Sequence, residues 1–205
     1  MGRGVGVWDA TGAIHRSPVA RGHGRVLVGL LAVLGFAVFR TPLPAATTIG
    51  KASTARSTRV AAIRDIPFDR LTPQARQRNH AVVSDPSMFR RMPVNRVECD
   101  PQLYRFLIRH PEVVVNIWQL MGITKVDIQR KGPFTLNASD GVGTVTETEL
   151  VYGTHDTHLI YCRGTYDGPL FPRPLTGRCV LLLKTDFASS RDDRWKITNR
   201  LDVFL

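Results

Sequence analysis

Residues 100–122, DPQLYRFLIRHPEVVVNIWQLMG, predict two short helices in tandem, with strand-like sequence following them to the C-terminus. Asp100 suits the N-cap of the first helix, and Pro101 its first position, where a missing N–H costs nothing. Leu103, Phe106 and Leu107 then recur at three and four residues as one apolar stripe. Pro111 ends that helix, because the residue before a proline avoids the α region, and it opens the next. There Val114, Ile117, Trp118 and Met121 share a face, and Gly122 suits the C-cap. A helix of about eleven residues is marginal alone, so the stripe is expected to dock on the sheet downstream. Arg109, His110 and Glu112 sit at the joint, where a solvated corner is the expectation rather than a catalytic His–Glu pair.

That sheet is read from alternation and turns. Residues 124–130 alternate weakly, 134–138 form a short strand, and Asp140–Gly141 is a hairpin signal before a long strand over 142–152. A turn at 153–156 returns the chain through 157–166. A proline-rich loop, 167–177, precedes the most apolar strand, 178–187, which carries Val180, Leu181, Leu182 and Leu183 in a run. In 195–205, Trp195, Ile197, Leu201 and Val203 are expected inward, with Lys196, Thr198, Arg200 and Asp202 outward. Upstream, 71–84 predicts a surface helix capped by Thr72, with Leu71, Val82 and Val83 touching the core. Residues 88–98 predict a strand that Pro93 confines to an edge or a bulge. The expected fold class is α+β: a curved antiparallel sheet of about six to seven strands packed on a short helix pair.

The order of elements resembles helix-grip (START-like) folds, in which a curved sheet encloses an apolar cavity. That family closes its cavity with a long C-terminal helix, whereas this chain ends in a strand. A more specific resemblance covers about residues 88–205. It rests on RHPEVVVNIW (109–118), ELVYGT (149–154), Gly168-Pro169-Leu170, LTGRCV (175–180) and Leu201-Asp202-Val203-Phe204. These are similar to a family of uncharacterised exported proteins of planctomycete bacteria. The resemblance implies export and brings no activity with it.

The N-terminal sequence points the same way. Residues 26–39 form an apolar run of fourteen residues after Arg16, Arg21 and Arg25, and small residues and prolines follow it. A spanning helix needs about twenty, so the run reads as a secretory signal or a retained signal-anchor within residues 1–46. Residues 47–66, rich in Ser, Thr, Ala and Arg, read as a flexible tether, and 67–205 as one α+β domain. The net charge is +11, but residues 1–60 hold eight Arg or Lys against Asp9 alone, leaving +4 for the remainder. With no basic helix interleaved with aromatics, nucleic-acid binding is excluded as a reading. Cys99, Cys162 and Cys179 lack metal-ligand spacing. Cys162 and Cys179 fall in strands able to neighbour one another, where a disulfide and two small buried thiols are equal alternatives.

For function the sequence offers surfaces and no reaction. The apolar loop with Leu170, Phe171, Arg173 and Arg178 suits a lipid surface or the cap of a pocket. With Trp118, Tyr152, Tyr161 and Arg163 it makes the candidate ligand-binding set, expected to take a lipid, another apolar ligand or the membrane surface. The alternatives are a cell-envelope interaction module without a small ligand and, weakest, a hydrolase using Glu147 and Glu149, which share a strand face. His155 and His158 are spaced HxxH, but an odd separation on a strand puts them on opposite faces, so no metal is assigned. No cofactor is implied.

Overall fold

The apolar run at Val180–Leu183 lies at the centre of a sheet. Val180 and Leu182 are fully buried on one face and Leu181 nearly so on the other, and a strand covered on both sides calls for a run rather than alternation. The structure is a computed structural model that describes residues 47–189 and 194–205. The expected leader over residues 1–46 lies outside the described residues.

Six strands form an antiparallel meander: β4 (Asp127–Arg130), β5 (Thr135–Ser139), β6 (Thr144–Gly153), β7 (Thr157–Tyr166), β8 (Leu175–Ser189) and β9 (Trp195–Phe204). The turn between β5 and β6 is made as Asp140–Gly141 predicts. Gly141 has a positive φ of 71°, and Asp140 Oδ1 accepts from the N–H groups of Val142 and Thr144, both at 2.9 Å. Three short strands, β1 (Thr47–Ile49), β2 (Phe89–Arg91) and β3 (Val94–Glu98), complete a nine-stranded sheet of order β1-β3-β9-β8-β7-β6-β5-β4, with β2 also on β9. The expected six to seven strands were too few. Met92 and Pro93 split one predicted strand into β2 and β3, which pair with different halves of β9, and β1 was not foreseen. The sheet stays open, with β1 and β4 at its edges.

Residues 47–66, expected to be a tether, carry β1 and the helix α1 (Arg56–Arg64). Ala62 is fully buried, as is most of Ile66. A composition that looked too poor in apolar side chains suffices because alanine lets the helix approach the sheet closely. After a single 3₁₀ turn, Phe68–Arg70, comes α2 (Pro73–Val83), whose cap Thr72 accepts from Ala75 N–H at 3.3 Å. Ala62, Ile66, Leu71, Ala75, Val82 and Val83 form the main core with Leu159, Tyr161, Val180, Leu182, Phe89 and Phe204 of the sheet.

The second helix pair, α3 (Pro101–Arg109) and α4 (Pro111–Leu120), is formed where the sequence predicts it. Asp100 Oδ1 accepts from the N–H groups of Gln102 and Leu103 at 2.8 Å. Tyr104 of α3 meets Phe187 edge-on at 6.4 Å. Phe187 is an odd number of residues from Leu182 along an unbroken strand, so it faces away from α1 and α2. Helices therefore cover both faces, rather than one as expected.

One consequence concerns Asp202, which the alternation of β9 assigns to solvent. It has no exposed surface, because α1, α2 and β2 cover the face to which it points. Arg91, opposite it in register, donates to it from Nε at 2.6 Å and Nη2 at 2.8 Å. Those bonds hold the Arg91 pKa above its ordinary value. Arg200 Nε lies 3.6 Å from Asp202, and Arg200 also bonds Asp65, the C-cap of α1. Removing one partner of a buried ion pair typically costs about 3–5 kcal/mol, while apolar replacement of both is far milder. Arg91→Ala is therefore expected to lose about 3–5 kcal/mol in chemical denaturation, and Arg91→Met with Asp202→Leu to recover most of it. A single-variant loss below about 1 kcal/mol, the range of an exposed bridge, would overturn this account.

Candidate functional site

The joint between α3 and α4 is open to solvent at Arg109 and His110, as expected, and a clasp of polar contacts closes it beneath. His110 is the single residue between the helices, and its Nδ1 lies 3.1 Å from Glu112 Oε1. Arg130 of β4 grips Glu112 from Nε at 2.7 Å and Nη2 at 2.8 Å, and its Nη2 and Nη1 also donate to the carbonyls of Arg109 and Pro133. Burial pulls the Glu112 pKa upward, but the hydrogen bonds from Arg130, its own backbone and His110 outweigh it and leave the net shift downward. The guanidinium thus donates to acceptors on both sides of the bend, which sets the direction in which α4 leaves.

From there α4 runs beside β4, with Glu112 at Arg130 and Gln119 donating to the Val126 carbonyl. In the other direction α3 passes over β8 and β9. Tyr104 hydrogen-bonds Asn199, and burial pushes its pKa up to about 12. Arg109 reaches the Thr154 carbonyl at 3.0 Å, in the turn between β6 and β7.

The outward side of this pair is apolar. Phe106 is 46% exposed and Leu120 89%, and Leu103, Ile117 and Met121 are also exposed. On α3, a shallow depression of about 350 Å³ is lined by Gln102, Arg105, Phe106, Arg109 and His110. Positions 102, 105, 106 and 109 share a helix face, and the Phe106 ring stacks on His110, just past the helix end, with centroids 4.4 Å apart. Two arginines and an exposed phenylalanine thus present together.

The eight residues singled out in the sequence do not meet in one place. Trp118 is half-buried on α4. Tyr161 is buried on the opposite side of the sheet, with the Arg78 guanidinium 5.0 Å from its ring centroid, and Tyr152 packs against that same core. Arg163 is exposed and bonded to Glu147 through two contacts of 3.1 Å, opposite Arg178 in register. Leu170, Phe171, Arg173 and Arg178 lie at the far end of the β7–β8 hairpin. There the Leu170 N–H donates to the Tyr166 hydroxyl at 3.2 Å, and Phe171 meets the Tyr166 ring edge-on. The expected loop is shorter than 167–177, because Leu175, Thr176 and Gly177 already belong to β8. Packing of this loop on the β5–β6 turn is close: a Cβ at Gly143 would lie 2.8 Å from the Asp167 carbonyl oxygen. Leu170 is 66% exposed there, and Val142 and Val145, on the adjoining β5–β6 turn and the start of β6, are exposed as well.

Glu147 and Glu149 are each held by a different cation, Glu149 by Arg78 at 2.9 Å. They form charge pairs, not a carboxylate dyad. His155 is exposed at the turn and His158 fully buried in β7. Neither ring nitrogen of His158 has a hydrogen-bond partner among the described residues. The exposed apolar surface that sequence reasoning missed is the outward stripe of α3 and α4. The stripe was legible, but its direction was assigned to the core.

No family model, curated protein or solved structure matches this chain. The functional reading therefore stands on the geometry, and neither sequence resemblance gains support from these comparisons.

His158 gives the fold a defined acid sensitivity. Burial, reinforced by Arg109 and only partly offset by Asp156, lowers its pKa from 6.5 to about 4. A histidine whose folded pKa is depressed stays neutral in the native state, so its contribution is intact above pH 6.5 and is lost as pH falls from there towards about 4. The loss across that window is about 3 kcal/mol. Unfolding free energies measured against pH for wild type and His158→Leu should diverge by that amount, with the variant flatter. Parallel curves would show that His158 protonates without penalty.

Proposed function

We propose that the α3–α4 pair docks on an anionic membrane surface. The carrying observation is the outward face of α3, where exposed Leu103 and Phe106 flank Arg105, with Arg109 at the end of the helix on the Thr154 carbonyl. An interfacial helix inserts its apolar side chains at the level of the acyl boundary while its arginines meet anionic headgroups. Ile117, Leu120 and Met121 extend the apolar contribution along α4. Buried apolar side chains contribute about 1.5–3 kcal/mol each on leaving water, and each nearby arginine about 1 kcal/mol at an anionic surface. Such increments support reversible attachment.

Two features favour this reading over an enclosed-cavity carrier of the helix-grip kind. The depression on α3 is open and arginine-lined, and the apolar residues that would line a cavity point outward instead. Among the described residues no helix is long and apolar enough to cross a membrane, which fits a surface contact by this part of the chain. The expectation of export assigns that membrane to the cell envelope. Self-association through the same stripe is the second reading, because an exposed apolar face also suits a protein partner.

The test is flotation of the full-length chain with vesicles of neutral lipid and of neutral plus anionic lipid. Binding is expected to require anionic lipid and to weaken with salt. Phe106→Ser with Leu103→Ser should lower partitioning about tenfold or more, since both side chains are exposed and carry little of the fold. Loss of binding in Leu170→Ser instead would move the docking surface to the β7–β8 loop. Unchanged partitioning in both variants, with a dimer that Phe106→Ser dissolves, would establish the protein–protein reading.

A further inference from the structure

Cys162 of β7 and Cys179 of β8 are directly opposite one another in the antiparallel register, and both are buried. We propose that they form a reversible dithiol–disulfide couple that closes the β7–β8 hairpin at the base of its apolar, arginine-bearing loop. This inference is independent of membrane docking.

Three observations carry it. First, the pairing is direct. The Thr185 N–H donates to the Asp156 carbonyl at 2.7 Å, and carrying that pattern six residues along β7 makes Cys162 and Cys179 a hydrogen-bonded pair. Cα atoms of such a pair lie about 5.5 Å apart, within the span that a disulfide bridges. Second, the thiols already interact. Their side chains are close enough to perturb one another's titration, and the Cys162 sulfur accepts from Thr148 Oγ1 at 3.6 Å. The Thr148 hydroxyl stabilises a thiolate at Cys162, and among the described residues Cys179 has no such donor in its register, so Cys162 is the attacking sulfur. Third, Cys99 cannot compete. Its N–H bonds the Trp195 carbonyl, and Trp195 pairs with Ser189, ten residues along β8 from Cys179. At about 3.3 Å per residue that separation is about 33 Å.

Directly opposed Cβ atoms sit about 4.5–5.5 Å apart, whereas a disulfide holds them near 3.8 Å. Forming the bridge draws the strands together, and a bridge formed under strain is readily reduced. The couple is therefore suited to reversal rather than to permanent stapling.

The oxidant is a small-molecule disulfide. The Cys162 thiolate attacks one sulfur of oxidised glutathione, whose S–S bond breaks and releases one glutathione thiolate. Cys179 then gives up its proton, and its sulfur attacks Cys162 Sγ, expelling the second glutathione as a thiol. Two protein thiols are oxidised to one disulfide, and one glutathione disulfide is reduced to two thiols. Because both cysteines are buried, exchange proceeds through local opening of the hairpin.

The experiment equilibrates the reduced full-length chain in glutathione buffers of graded oxidation, quenches with acid, alkylates free thiols, and maps tryptic peptides by mass. The expected product joins the peptide of residues 132–163 to that of 179–184, two hydrogens lighter than their sum, with Cys99 alkylated. Cys99→Ser should bridge as before. Cys179→Ala should stop at a glutathione adduct on Cys162, and wild type and Cys99→Ser decide the matter if that variant fails to fold. Both thiols remaining reduced at the most oxidising ratio, a wild-type chain halted at the adduct, or a bridge that includes Cys99 would each overturn the proposal.

Discussion

A carboxylate with no exposed surface must keep its partners, and Asp202 is that carboxylate. Because an uncompensated charge is so costly away from water, the strand that carries Arg91 has to lie beside β9 in one register. That places β2, and with it the turn into β3, along the outer edge of the meander. Arg200 extends the requirement to Asp65, which ties the end of α1 to the same strand. The N-terminal elements are held by charge as much as by apolar burial.

The two faces of the sheet are finished differently. On one, α1 and α2 bring small and branched side chains, Ala62, Ala75, Val82 and Val83, into contact with Leu159, Val180, Leu182 and Phe204. On the other, α3 and α4 contribute buried Val115 and half-buried side chains while leaving five large apolar residues outward. The Glu112–Arg130 clasp fixes the bend between them, so the outward stripe is a consequence of where α4 is forced to run. A surface built this way is geometrically defined although neither helix buries its whole apolar face. His158, buried with no hydrogen-bond partner among the described residues, lies on the same side of the sheet as the clasp, so its protonation acts on the layer that carries this surface.

The β7–β8 hairpin joins the remaining features. Its strands carry the main core on one side and the cysteine pair on the other, and its far end carries Leu170 and Arg173. Tyr166 organises that end by accepting the Leu170 N–H and meeting the Phe171 ring. A covalent link at Cys162 and Cys179 would act on the loop through a few residues of regular strand.

Local chemistry made much of the chain legible in advance. Asp100 and Thr72 cap their helices through the bonds their residue types allow, Pro111 separates α3 from α4, and Asp140–Gly141 turns the chain into β6. The continuous run at Val180–Leu183 marked the most buried strand, although not that helices would cover both of its faces. These are matters of backbone conformation and near-neighbour pattern, and sequence alone determined them. The sequence could not say which apolar stripe meets the sheet and which meets solvent, since periodicity gives a face and no direction. Nor could it show that Asp202 is buried or that residues 56–64 contribute to the core, because both depend on partners distant in the chain. Only the tertiary structure decided those, through the requirement that a buried charge and a small-residue helix each find a complementary surface.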